Sequence, residues 1–237
     1  MTISILRAAA MGAAALLGAA SSAQDLGGAL DLGQLGASIG VSNAMRGQVT
    51  PRSRPPAPRT AKPAALTFRA DPARQKATVD GWLARIGRGD PASARQIGAV
   101  FAKQSLAQVS GPWLARYGMS TSNGADAAAA YLSTAWLIAR GDPGDPTRAQ
   151  IVGLRDQLAL ALAAAPGWAS ANDATRQAFA DTLLLQAAVN GALLQGAGAD
   201  RAKAQAVGAA VARGAESVFG IDVRRMDLTA RGLVPRG

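Results

Sequence analysis

In the later two thirds of the chain, three predicted helices begin with an Asp-Pro pair, at Asp71-Pro72, Asp90-Pro91 and Asp145-Pro146. An aspartate just before a helix accepts hydrogen bonds from the free amides of the first turn. A proline at the next position loses no hydrogen bond and already has a helical φ. From Phe68 onward, apolar residues recur at helical spacing, and no strand-like alternation is longer than four residues. We therefore predict an all-α fold.

The apolar spacing predicts a compact bundle of about six helices over roughly residues 68–228. The predicted helices lie at about 72–87, 91–106, 124–140, 146–165, 173–194 and 200–219, with a short helical piece at 113–117. In the fifth helix, Thr182, Gln186 and Asn190 follow one another at four-residue steps. This polar stripe predicts either a solvated face or a hydrogen-bonded seam against a partner.

The composition excludes several classes of catalytic and metal site. The 237 residues contain no His and no Cys. A Ser-His-Asp triad, a haem with a proximal His, a His-based zinc site, a cysteine nucleophile and a disulfide are therefore excluded. No recognised catalytic, phosphate-binding or calcium-binding motif is present either. We therefore expect a protein that is not an enzyme and that has no metal and no cofactor.

The amino terminus has the three-part pattern of a secretory signal peptide. Arg7 supplies one cation, an apolar run follows over residues 8–20, and Ser21-Ser22-Ala23 provides small residues for cleavage. The run is well short of the ~20 residues that span a bilayer, although a permanent anchor is the alternative. We predict a signal peptide over 1–23 and a bacterial protein that is periplasmic rather than secreted. No transmembrane segment is predicted in the mature chain.

Residues 24–66 are predicted to be a disordered linker, because their apolar residues are sparse and interrupted by Gly. The linker is basic and Pro-rich over residues 46–62. One interpretation is a solvated spacer, and the other is contact with an anionic surface such as lipid headgroups or cell-wall polymer. Nucleic acid is not expected as a partner. The cations that would make the contact are Arg46, Arg52, Arg54, Arg59 and Lys62.

The predicted domain covers residues 67–230, followed by a flexible carboxyl terminus over 231–237. Its last five residues, Leu-Val-Pro-Arg-Gly, match a protease site used in expression tags and are a possible tag remnant.

The densest group of polar and aromatic side chains lies between residues 117 and 136. Asn123 and Asp126 have the spacing of a helix N-cap and a carboxylate in the first turn. The functional alternative is a ligand- or partner-binding site between helices, with Asp126 as acid or base. The side chains of that candidate site are Tyr117, Asn123, Asp126, Tyr131 and Trp136.

The same residues carry a resemblance to a known family. The pattern of Tyr117-Gly118, Asn123, Asp126, Tyr131 and Trp136 resembles an uncharacterised family of exported bacterial all-helical proteins, over about residues 68–220. The resemblance implies an all-α exported domain of unknown activity, and it brings no catalytic residues or ligands.

We therefore expect an exported, non-enzymatic helical interaction module of the bacterial cell envelope. Its partner would be an unknown envelope protein or an anionic envelope polymer. Two alternatives stay open. The first is a small-ligand binder or Asp-dependent hydrolase with a pocket near Asp126. The second is an electrostatic tether to anionic polymer through residues 46–62.

Overall fold

A computed structural model of the chain describes residues 32–49, 66–141 and 144–237. Within these ranges the fold is predominantly helical, as predicted, but it has ten α-helices rather than six. The helices are α1 (Leu32–Ile39), α2 (Val41–Val49), α3 (Pro72–Gly89), α4 (Pro91–Phe101), α5 (Leu106–Arg116), α6 (Gly124–Arg140), α7 (Arg148–Ala164), α8 (Pro166–Ala169), α9 (Asp173–Ala197) and α10 (Arg201–Phe219). A 3₁₀ turn at Val223–Arg225 leads into the strands β1 (Met226–Thr229) and β2 (Gly232–Pro235).

Helix α6 is the centre of the bundle. Every residue from Gly124 to Ile138 is buried, and α7, α9 and α10 pack around this helix. Its first two turns contain five alanines, whose short side chains let the neighbouring helices come close. In α10, a Cβ added to Gly208 would lie 3.1 Å from the carbonyl oxygen of Ile138. In the part of the chain that the structure describes, no helix is both long and apolar enough to cross a membrane.

Two of the three predicted Asp caps are confirmed. Asp71 and Asp90 each precede a helix and accept hydrogen bonds from amides of its first turn. The prediction for Asp145 is wrong, because α7 begins two residues later and is capped by Thr147. The side chain of Gln150 accepts a hydrogen bond from the Thr147 amide at 2.8 Å, while the Thr147 hydroxyl accepts from the Gln150 amide. This reciprocal capping box determines where the helix starts.

A second capping box corrects the predicted end of the second helix. Helix α4 ends at Phe101 rather than near residue 106. Ser105 and Gln108 then cap each other and start α5, which is longer than the predicted piece at 113–117.

The predicted disordered linker is wrong for residues 32–49. These residues form α1 and α2, and Ile39, Val41 and Met45 have almost no exposed surface. A Cβ added to Gly36 would lie 2.5 Å from the carbonyl oxygen of Val218, so α1 packs backbone to backbone on α10. The packed domain therefore begins well before residue 67. The predicted signal peptide and residues 50–65 lie outside the described residues.

The carboxyl terminus is also part of the packed fold rather than a flexible end. Strands β1 and β2 pair antiparallel with Met226 opposite Pro235, and Leu233 is fully buried. The side chain of Gln157 in α7 donates to the Leu233 carbonyl at 2.9 Å and accepts from the Leu233 amide at 2.8 Å. One glutamine thus satisfies both backbone groups of a residue at the outer edge of the hairpin.

Two residues of the predicted polar stripe of α9, Gln186 and Asn190, are buried, and Thr182 is half-buried. The interpretation as a solvated face is therefore wrong for Gln186 and Asn190. Both are nearly inaccessible, and the Gln186 amide nitrogen donates to the Asn190 side-chain oxygen at 2.7 Å. Two further polar residues of the same helix, Gln177 and Asp181, are buried against α3. Helix α9 therefore places polar groups inside the bundle.

Candidate functional site

The predicted site surrounds the start of α6, where a short extended segment fixes the preceding loop. The amide of Phe68 donates to the Ser122 carbonyl at 3.1 Å, and the Gly124 amide donates to the Leu66 carbonyl at 2.9 Å. Asn123 is the N-cap, as predicted, and its side-chain oxygen accepts from the Ala125 amide at 2.9 Å. The loop is thus held from both sides.

Asp126 is the most unusual of the candidate residues, because this acidic residue is only 3% exposed. One oxygen, Oδ2, accepts from the Ser120 amide at 2.8 Å. The other, Oδ1, is buried and accepts no hydrogen bond from the described residues. Asp126 therefore anchors the loop before α6 instead of bonding back to the N-cap.

Burial raises the pKa of Asp126, because a desolvated carboxylate is less stable than the neutral acid. The hydrogen bond from Ser120 and the positive charge of Arg155 oppose this effect, and the negative charge of Asp156 adds to it. A raised pKa favours the protonated form, which is the form that a general acid needs.

Tyr117 lies at the outer side of the same loop and is half-buried. Its ring centroid is 5.0 Å from that of Trp113. Burial and the negative charge of Asp145 raise the pKa of Tyr117, and Arg116 opposes them. Beside it, Arg148 donates to the Arg116 carbonyl at 2.6 Å, which ties the start of α7 to the end of α5.

Tyr131 and Trp136 lie apart from this loop, and both are buried. The Tyr131 ring stacks on Phe219 at 6.2 Å between centroids, and burial raises the pKa of its hydroxyl. The indole nitrogen of Trp136 donates to the Met226 carbonyl at 2.9 Å, which fixes the carboxyl-terminal hairpin against α6. The candidate residues therefore divide into a loop group around Asp126 and two core aromatics.

Trp168 is a neighbour of the loop group that the sequence did not single out. A Cβ added to Gly124 would lie 2.2 Å from its indole ring, so only glycine lets α8 pack there. The Arg176 guanidinium lies 5.6 Å from the centre of the same ring. The glycine directly after the predicted N-cap is the sequence feature that this contact requires, and by itself it does not identify the side chain that covers it.

Of the predicted anionic-surface contacts, the structure describes Arg46 alone. It is exposed on α2, and its guanidinium donates to the Asn43 side chain at 2.5 Å. The other four cations, Arg52, Arg54, Arg59 and Lys62, lie outside the described residues. Within the described ranges, no three Asp or Glu side chains come together as ligands of one metal ion would.

The comparisons with known proteins give a family and no activity. No curated protein and no solved structure matches the chain significantly. One family match covers residues 37–236, which includes α2, the loop around Asp126 and the carboxyl-terminal hairpin. The chain belongs to DUF6683, a family of unknown function.

Proposed function

We propose that the protein is an exported, non-enzymatic helical interaction module of the bacterial cell envelope. The support for export is the signal-peptide pattern of residues 1–23. The interaction role rests on the observation that the candidate side chains form hydrogen bonds that hold the fold together. Asn123 caps α6, Asp126 holds the Ser120 amide, and Trp136 holds the Met226 carbonyl. Partner recognition is then left to the surface of the bundle.

The test is an in-cell crosslinking pull-down of the mature protein, with captured proteins identified by mass spectrometry. We expect one dominant envelope protein. Deleting residues 24–66 is unsuitable as a comparison, because it removes Ile39, Val41 and Met45 from the core. The full-length chain with the four cations of 50–65 changed to Gln is the appropriate comparison. Capture of no protein by either form, with both well folded, would contradict the interaction role.

A small-ligand binder or Asp-dependent hydrolase is the second candidate. It is favoured by the Oδ1 atom of Asp126, which is buried without a hydrogen-bond donor among the described residues. The decisive variant is Asp126→Asn, because its amide oxygen still accepts from the Ser120 amide. A hydrolase would lose turnover of a screened ester or glycoside while its Tm stayed unchanged.

The matched control is Ser105→Ala, which removes the N-cap of α5 and lies outside the candidate site. It is expected to lower the free energy of unfolding by about 1 kcal/mol without abolishing turnover. If Asp126→Asn affects stability alone, and no substrate is turned over by the wild type, the hydrolase candidate fails.

An electrostatic tether through residues 46–62 is the third candidate. The structure describes the first four residues of this stretch, and the exposed Arg46 among them favours the tether. It predicts binding to anionic vesicles or cell-wall polymer that weakens as salt is added. The Gln variant of the four cations should lose this binding. Equal binding by both forms would reject the tether.

A further inference from the structure

Helix α4 lies at the edge of the bundle. Among the described elements, α3 alone packs on it extensively. The contact uses small residues, since a Cβ added to Gly98 would lie 3.6 Å from the Leu83 side chain and one added to Gly87 would lie 3.5 Å from Ala94. Arg95, elsewhere on α4, is exposed. We define the α3–α4 surface as the exposed side chains of residues 81–105.

The α3–α4 surface is strongly basic. Between Asp80 and Asp126 the sequence contains a single acid, Asp90. Its carboxyl is buried and accepts hydrogen bonds from the Ser93 amide at 3.0 Å and the Ser93 hydroxyl at 2.5 Å, so little of it is accessible to a partner. Four cations of the α3–α4 surface are exposed, namely Arg85, Arg88, Arg95 and Lys103.

Apolar groups accompany these charges. Leu83 and Phe101 pack against the core yet keep part of their surface accessible, and Ala99 and Ala102 are exposed. A polyanion such as a phosphate polymer would use only the charges. A protein segment that carries both carboxylates and apolar side chains would use both parts of the surface, and arginine forks pair well with carboxylates.

Charge argues against two occupants that this chain could supply. Residues 50–65 contain four cations and no acid, so they would repel a basic surface. A second copy carries the same formal charge of +10, which opposes pairing through the α3–α4 surface. We infer that the α3–α4 surface docks an acidic, partly apolar segment of a different protein. The inference rests on the proposed interaction function and names the chemistry of its partner.

The test measures binding of a fluorescent amphipathic peptide built from Glu, Leu and Ala to the full mature chain, by anisotropy at low salt. The variant Arg88→Gln/Arg95→Gln/Lys103→Gln removes three exposed charges from the α3–α4 surface. We expect its affinity to fall by about tenfold, because exposed ion pairs each contribute modestly. Amide hydrogen exchange of the wild type should show protection by the peptide over residues 81–105.

The matched control is Arg201→Gln/Arg213→Gln/Arg231→Gln, which removes three exposed charges from other elements. It should leave the affinity unchanged within about twofold, since its charges lie outside the docking surface. Equal loss in both variants, or in neither, would overturn the inference. The inference would also be overturned if the protein bound phosphatidylglycerol vesicles or polyphosphate instead of the peptide, and only the α3–α4 variant lost that binding. If a pulled-down partner binds wild type and the α3–α4 variant alike, the interaction function stands and this surface is rejected.

Discussion

At the scale of single residues, the buried carboxyl of Asp181 links ionisation to stability. It is 1% exposed, and its Oδ1 accepts from the Gln75 side chain at 3.0 Å. Its Oδ2 has no hydrogen-bond partner among the described residues. Burial raises the pKa of Asp181, while hydrogen bonds from Gln75 and Gln177 lower it without cancelling the shift. The folded state therefore holds this proton more tightly than the unfolded state does.

The sign of the pH dependence follows from this raised pKa. The contribution to stability is fully present below the unfolded value of 3.8 and is lost as the pH rises through the raised folded value. Asp181→Asn keeps an oxygen for Gln75 and removes the titration. We expect the variant to gain stability relative to wild type between pH 3 and pH 7, by about 1.4 kcal/mol for each unit of pKa displacement. Urea unfolding at both pH values measures this, and an equal difference at the two values would contradict it.

At the scale of elements, the sequence predicted helix ends wherever the signal was local. Asp71, Asp90 and Asn123 cap helices because their side chains reach amides two or three residues away. Asp145 and Thr147 were both suitable caps, and the reciprocal bond with Gln150 selects Thr147. The loop around Asp126 was predicted in the same way, by local spacing. Its Ser120 bond was not predicted, because that bond depends on how the loop folds back over six residues. Its cover by Trp168 was not predicted either, because that contact depends on a helix far along the chain.

The carboxyl-terminal hairpin provides a test of such packing. Gln157→Met keeps the length of the side chain but leaves the buried amide and carbonyl of Leu233 without partners. We expect a loss of about 1–3 kcal/mol in the free energy of unfolding, with faster hydrogen exchange in residues 226–235. Gln205→Met, at an exposed site on α10, should change stability by less than about 0.5 kcal/mol. Similar effects of the two changes would show that Gln157 does not hold the hairpin.

At the scale of the whole molecule, helices α1 and α2 complete the bundle even though their sequence resembles a linker. The glycines that made residues 24–47 look unable to pack include Gly36, whose missing side chain lets α1 reach the backbone of α10. Sparse apolar residues are sufficient there because Ile39, Val41 and Met45 are all completely covered. Composition alone does not distinguish a glycine that breaks a helix from one that permits close packing. That distinction depends on a helix far along the chain.

Gly36→Ala and Gly47→Ala test whether this region belongs to the cooperative unit. In Gly36→Ala the new Cβ meets the backbone of Val218, so α1 must shift, and we expect a loss of about 1–3 kcal/mol. In Gly47→Ala nothing lies within 4 Å, and the better helix propensity of alanine should add up to about 1 kcal/mol. Thermal unfolding of the full chain, followed by circular dichroism, measures both changes. If α1 and α2 were a separate linker, neither substitution would move the main transition, whereas opposite shifts of one transition would place both helices in the folded domain.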